Sequence, residues 1–151
     1  MLERRLGGHL GLNALKSATT PTEGLALARQ IAMISYRTHS DFETKDQSGT
    51  VQNYLDYQGK KFVDRFDVWS YELLVKAMDT HDIGNEVLDL TTRVLVIGNS
   101  QDVLYPVADQ KEILRLFKNS VYFEFSSDKG HDAFLTDDHV LNPVIGDFLK
   151  K

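Results

Sequence analysis

The chain has 151 residues, enough for one compact domain, and its 42% hydrophobic and 26% charged content is ordinary for a soluble globular protein. A formal net charge of −5 argues against nucleic acid or an anionic membrane as the main partner, and the longest apolar runs, residues 94–97 among them, are far short of the roughly 18 residues of a membrane helix. With no cysteine there is no disulfide, thiolate nucleophile or cysteine zinc site, which fits a reducing, cytoplasmic compartment.

The N-terminal stretch "MLERRLGGHLGLNALKSATT" has no apolar signal core, and its arginines are too weak a sign to make it a transit peptide. The next segment, "TTPTEGLALARQIAMISYR", sets Thr20 before Pro21 and puts Glu23 three residues after the threonine. That is a capping box, and it predicts a helix over 21–36. In "VQNYLDYQGKKFVDRF", Val51, Tyr54, Leu55, Phe62 and Phe66 fall near one face, predicting a second helix weakened at Gly59. "DVWSYELLVKAMDTHDIG" predicts a third, with Asp67 as N-cap and Gly84 as its stop.

Near residue 90 the pattern changes. "RVLVIG" is apolar and rich in β-branched residues, the mark of a strand buried on both faces of a parallel sheet. A loop "NSQDVLYP", a helix "VADQKEILRLFKN", a strand "SVYFEF", a loop "SSDKGHDAF" and a final helix from about 137 to 149 follow. This is an α/β arrangement whose crossover makes the strands parallel, so both loops leave the same carboxyl edge. Asp102 lies four residues beyond Gly98, and His131 five or six beyond Phe125. Across strands about 4.8 Å apart the two side chains can meet. An acid and a histidine there are two members of a nucleophile–base–acid triad in α/β-hydrolase order.

The plainer reading makes His131 a polar loop residue capping backbone groups. Asp102 has rivals in Asp109, Asp128 and Asp132: the first falls in a helix's first turn, the second in the histidine's own loop, and the third directly after the histidine. Geometry favours Asp102 as the orienting acid. His81 belongs to a helix end, and His9, His39 and His139 read as exposed. No pair of histidines has metal-site spacing, so no metal is expected. The basic pairs Arg4-Arg5, Lys60-Lys61 and Lys150-Lys151 are short enough to be solvated edges.

Four stretches in order, "GLALARQIAMISYR", "FDVWSYELLVKAMDTHDIG", "LVIGNSQDVLYP" and "GHDAF", closely resemble successive parts of the homoserine O-acetyltransferases, from about Gly24 to the C-terminus. The resemblance implies an α/β-hydrolase fold with a helical lid, here about residues 20–90, before a β-α-β-α core portion of about 91–151, together one partial domain. It implies acetyl transfer from acetyl-CoA, as co-substrate, to the hydroxyl of homoserine through an acetyl-serine, with no bound cofactor. By that likeness Asp102 is the triad acid and His131 the base, Asp132 meets the homoserine amine, and Arg29 and Tyr36 contact its carboxylate end. A homodimer through the lid helices is a further expectation. Taken alone, Arg29 reads as a surface ion-pair residue and Tyr36 as a core residue. Seven residues apart, they differ by only about 20° around a helix and share a stripe.

One element of the pattern is missing. No G-x-S-x-G elbow occurs, and none of Ser17, Ser35, Ser40, Ser48, Ser70, Ser100, Ser120, Ser126 and Ser127 has glycines at the required spacing. The chain therefore reads as the carboxyl-terminal half of an acetyltransferase, inactive alone. An esterase or serine acyltransferase on the same scaffold, and an inert module kept for dimerisation, stay open as alternatives.

Overall fold

The structure, a computed structural model, describes residues 2–46, 50–82 and 91–150, the side chains of 2–9, 45 and 46 aside. It divides into two compact units: one of residues 1–35 and 39–82, the other of residues 36–38 and 83–151.

The first unit is helical: α1 (Leu2–Ser17), α2 (Pro21–Tyr36, whose last residue belongs to the other unit), α3 (His39–Asp46), α4 (Val51–Val63) and α5 (Val68–Thr80). The capping box forms as the sequence requires. The Glu23 N–H donates to Thr20 Oγ1 at 3.2 Å, and the Thr20 N–H to Glu23 Oε2 at 3.1 Å, satisfying two of the otherwise orphaned donors at the helix start. Asp67 caps α5 by accepting the Ser70 N–H at 2.9 Å. That helix ends at Thr80 with His81 as its C-cap, and Gly84 lies outside the described residues. Leu25, Ala28, Met33, Leu55 and Val75 are buried, Leu25 and Ala28 at 1% exposure.

Helix α4 runs through Gly59 without a break. A Cβ at Gly59 would lie 3.0 Å from the carbonyl oxygen of Ala26, so the missing side chain serves close packing of α4 on α2. Helices α1 and α3 were not foreseen. The first carries glycines at 7, 8 and 11, and the second is polar apart from Phe42, so neither shows an apolar period.

The second unit holds β1 (Val94–Asn99), α6 (Val107–Ile113), β2 (Ser120–Phe125), α7 (Ala133–Thr136) and α8 (Asp138–Leu149). The strands are parallel and in register from Val94 opposite Ser120 to Asn99 opposite Phe125. Helix α6 is shorter than predicted. It tightens into a 3₁₀ turn, Leu114–Leu116, and the Ser120 hydroxyl serves the carbonyls of Leu114 and Phe117 at 3.2 and 3.1 Å. Strand β1 also differs from expectation. Only Gly98 and Asn99 are buried, and 94–97 are half-buried, because the sheet described has two strands and each is an edge. No helix among the described residues is long and apolar enough to cross a membrane.

Candidate active site

Because β1 and β2 end side by side, the loops that follow them leave one edge together. Asp102 is fixed first by its own loop. Its backbone N–H returns to the Asn99 carbonyl at 3.1 Å, and its Oδ1 accepts the N–H groups of Leu104 at 2.8 Å and Tyr105 at 2.9 Å. An aspartate bonded to the backbone two and three residues ahead is locked in an Asx turn. Oδ2 is left facing the second loop, where His131 Nδ1 lies 2.9 Å away.

This contact decides the tautomer. A carboxylate only accepts, so Nδ1 carries the proton, and in the neutral ring Nε2 bears the lone pair. The Asp102 side chain is 9% exposed and that of His131 24%, so the carboxylate is largely buried and the imidazole remains reachable.

Burial exerts the largest single pull on the Asp102 carboxyl and pushes its pKa upward. The hydrogen bond from His131, the N–H groups of Tyr105 and Leu104 and the attraction of the imidazolium act the other way. Together they hold the carboxyl below its ordinary value of 3.8. Between the folded and unfolded values the unfolded chain binds the extra proton, so stability rises with pH in that window. The contribution of Asp102 is complete above the unfolded value and is lost as pH falls through the lower, folded one. The gap in urea midpoint between the native chain and Asp102→Asn is therefore level above about pH 5 and closes below about pH 4. A gap that persists unchanged to pH 3 contradicts this account.

On the His131 side, Gly130 opens a 3₁₀ turn, Gly130–Asp132, with φ of 61°. Residues 36–38 lie against this turn. Thr38 Oγ1 donates to the Asp128 carbonyl, and Arg37 pairs with Asp132 at 3.1 Å. The rings of Tyr36, Tyr105 and Phe134 stand 5.4, 5.2 and 5.6 Å from the imidazole.

The structure thus brings together Asp102, His131 and Tyr36, with Asp132 beside them and engaged by Arg37. Among the rival acids, Asp109 lies in the first turn of α6, and Asp128 pairs with Lys129 at 3.3 Å. Arg29 belongs to the helical unit, its guanidinium 5.5 Å from the centre of the Phe62 ring. Arg37, Tyr105, Phe134 and Asn99 were missed. Arg37 adjoins Tyr36 and Tyr105 adjoins the acid's turn, which is the only local signal they give. Among the described residues none but glycine has a positive φ, so no serine there sits on a strained elbow.

No protein-family model matches the chain. A homoserine O-acetyltransferase of Carboxydothermus hydrogenoformans is 42% identical over 158 aligned positions, covering 86% of this chain and 41% of its own length. That of Chlorobium chlorochromatii is 36% identical over 148, covering 87% and 42%. Over most of its length the chain is similar to curated homoserine O-acetyltransferases. It spans about two fifths of the length of these curated relatives. The crystal structure of homoserine O-acetyltransferase from Staphylococcus aureus matches it with a TM-score of 0.83 at 28% identity, over 98% of this chain and 47% of that one. Esterase E22 matches with a TM-score of 0.85 at 14% identity, over 96% of this chain and 50% of that one, a likeness that shows the fold alone. The fold is a portion of the α/β-hydrolase fold.

Proposed function

We propose that this chain supplies the acid and base of a homoserine O-acetyltransferase whose nucleophilic serine is not among its 151 residues. The observation that carries the reading is the 2.9 Å contact between His131 Nδ1 and Asp102 Oδ2 at the carboxyl edge of the sheet, in a chain 42% identical over most of its length to a homoserine O-acetyltransferase.

The chemistry follows from the tautomer. Nε2 of His131 takes the serine proton as Oγ attacks the thioester carbonyl of acetyl-CoA, and returns it to the departing CoA sulfur. In the second half, Nε2 takes the hydroxyl proton of homoserine as that oxygen attacks the acetyl-serine, and hands it back to Oγ. Asp102 holds the ring and stabilises the imidazolium formed in each half. Transfer instead of hydrolysis requires water to be kept out, and the rings of Tyr36, Tyr105 and Phe134, each within 5.6 Å of the imidazole, give it apolar neighbours. In this reading Asp132 meets the homoserine amine, sharing its carboxylate with Arg37, and Arg29 and Tyr36 meet the carboxylate end. A homodimer through the helical unit belongs to the same proposal. Trp69, Leu73, Leu74 and Met78 of α5 are each more than half exposed, the kind of apolar surface that marks an interface.

Mass spectrometry tests the division of labour. The isolated chain, exposed to acetyl-CoA and then to homoserine, takes up no acetyl group. Mixed with the serine-bearing amino-terminal portion of a relative, it restores formation of O-acetylhomoserine. A stoichiometric adduct on one serine of the isolated chain, discharged by homoserine, refutes the reading. Release of free acetate in place of acetylated product points to an esterase.

In that reconstituted enzyme, Arg29→Ala raises the KM for homoserine by about 10- to 150-fold, the equivalent of one charge-assisted contact of about 1.5–3 kcal/mol. Acetyl-enzyme formation stays nearly intact, because the acyl donor offers no matching carboxylate. An unchanged KM takes Arg29 out of the site.

A further inference from the structure

We infer that Asn99 is a positioning residue, the crosspiece that holds the acid loop and the base loop in register with each other. The inference rests on the proposed roles of Asp102 and His131 and concerns what sets the distance between them.

Asn99 is the last residue of β1 and is 6% exposed. Its Nδ2 donates to the carbonyls of Ser127 at 3.1 Å and Gly130 at 2.7 Å. Its Oδ1 accepts the N–H of Gln101 at 3.1 Å and that of Ser127 at 2.9 Å. Two donors and two acceptor lone pairs are all that a primary amide has, and every one is used. Three of the four bonds go to the base loop and one to the acid loop. The backbone carbonyl of the same residue accepts the Asp102 N–H at 3.1 Å and Gln110 Nε2 at 3.3 Å. Gln110, itself 7% exposed, also donates to the Tyr105 carbonyl and accepts the Tyr122 hydroxyl at 2.9 Å.

One residue therefore touches the turn that presents the acid and the peptide unit directly before the base. The Gly130 carbonyl bonded by Asn99 belongs to the peptide that joins Gly130 to His131, so this bond fixes where the histidine's backbone begins. Asp102 keeps its own Asx turn without Asn99, but His131 does not keep its place. No other residue type meets the requirement. A carboxylate would turn an acceptor toward two carbonyls. An apolar side chain of the same shape would leave buried backbone groups without partners, a large penalty for each.

The test is nitrogen NMR of the His131 ring in the full 151-residue chain at a pH where the imidazole is neutral. In the native chain the ring is the Nδ1–H tautomer, with a protected, strongly downfield proton, and Asp102→Asn abolishes that signature. Asn99→Leu, matched in shape and lacking all four bonds, loses the Nδ1–H resonance and shifts the ring toward Nε2–H although Asp102 is still present. A folded Asn99→Leu chain that keeps the native tautomer overturns the positioning role even if its thermal midpoint falls, because a merely structural residue lowers stability without moving the proton. If Asn99→Leu does not fold, Asn99→Ser, which is smaller and retains part of the bonding, is read by the same two outcomes. A retained tautomer leaves the acid–base reading standing. A reconstituted enzyme indifferent to loss of His131 removes that reading without touching the ring measurement.

Discussion

In an enzyme rebuilt from this chain and a serine-bearing amino-terminal partner, His131→Ala lowers kcat for acetyl transfer by about 10⁴- to 10⁶-fold. The size follows from the base acting in both halves of the reaction, taking a proton from serine and then from homoserine. Neither hydroxyl is a competent nucleophile at neutral pH without it. Neutral replacement of the acid costs less, about 10⁴-fold for Asp102→Asn, because the imidazole remains but turns to the wrong tautomer. The two losses do not add, since the acid acts only through the base. Stopped-flow release of CoA and single-turnover formation of O-acetylhomoserine measure the halves separately, and both fall together in His131→Ala. If only the second falls, some other group activates the serine. If transfer stays within tenfold of the native rate, the assignment of His131 as base is wrong.

Much of the frame that carries His131 was legible in the residues. The start of α2 came from Thr20, Pro21 and Glu23, because a capping box is a contact between residues three apart and needs no tertiary information. The strand Ser120–Phe125 was read in full, because an apolar, aromatic-rich run next to polar turn residues has few alternatives. Parallel strands then forced both loops to one edge, which is how Asp102 and His131 could be paired across 29 positions of sequence. What escaped the reading depends on long-range contact. Asn99 looks like a strand-end polar residue until its partners at Ser127 and Gly130, 28 and 31 residues away, are known. Arg37 gains its meaning only where residues 36–38 cross the base loop. The expectation that β1 is buried on both faces failed for a related reason. The apolar run reports what a strand is suited to pack against, and the two strands described leave residues 94–97 half-exposed.

Gly130→Val gives the largest loss of stability expected from a single change near the site. Two independent costs meet at this position. The backbone φ of 61° lies in the left-handed region, where a non-glycine residue costs about 1–3 kcal/mol and a β-branched one is worst placed. A Cβ there would also stand 2.9 Å from the Tyr36 carbonyl oxygen and 3.3 Å from the Thr38 nitrogen. Those are backbone atoms, which cannot swing aside as a side-chain tip can. Relief requires residues 36–38 to separate from the turn, and that would strain the Arg37–Asp132 pair and the hydrogen bond from Thr38 to Asp128. Gly130→Asn separates the two causes, because asparagine tolerates the left-handed region yet still carries a Cβ. The expected order of thermal midpoint is native, then Asn, then Val. For a chain of this size each kcal/mol lowers the midpoint by about 2–4 °C. The valine chain also loses the His131 Nδ1–H resonance, since the turn that presents the ring is the part displaced. If Gly130→Asn equals the native chain while Gly130→Val falls, backbone conformation alone fixes the glycine and the contact with residues 36–38 is incidental. If Gly130→Val is as stable as the native chain and keeps its resonance, the described path of the base loop is wrong.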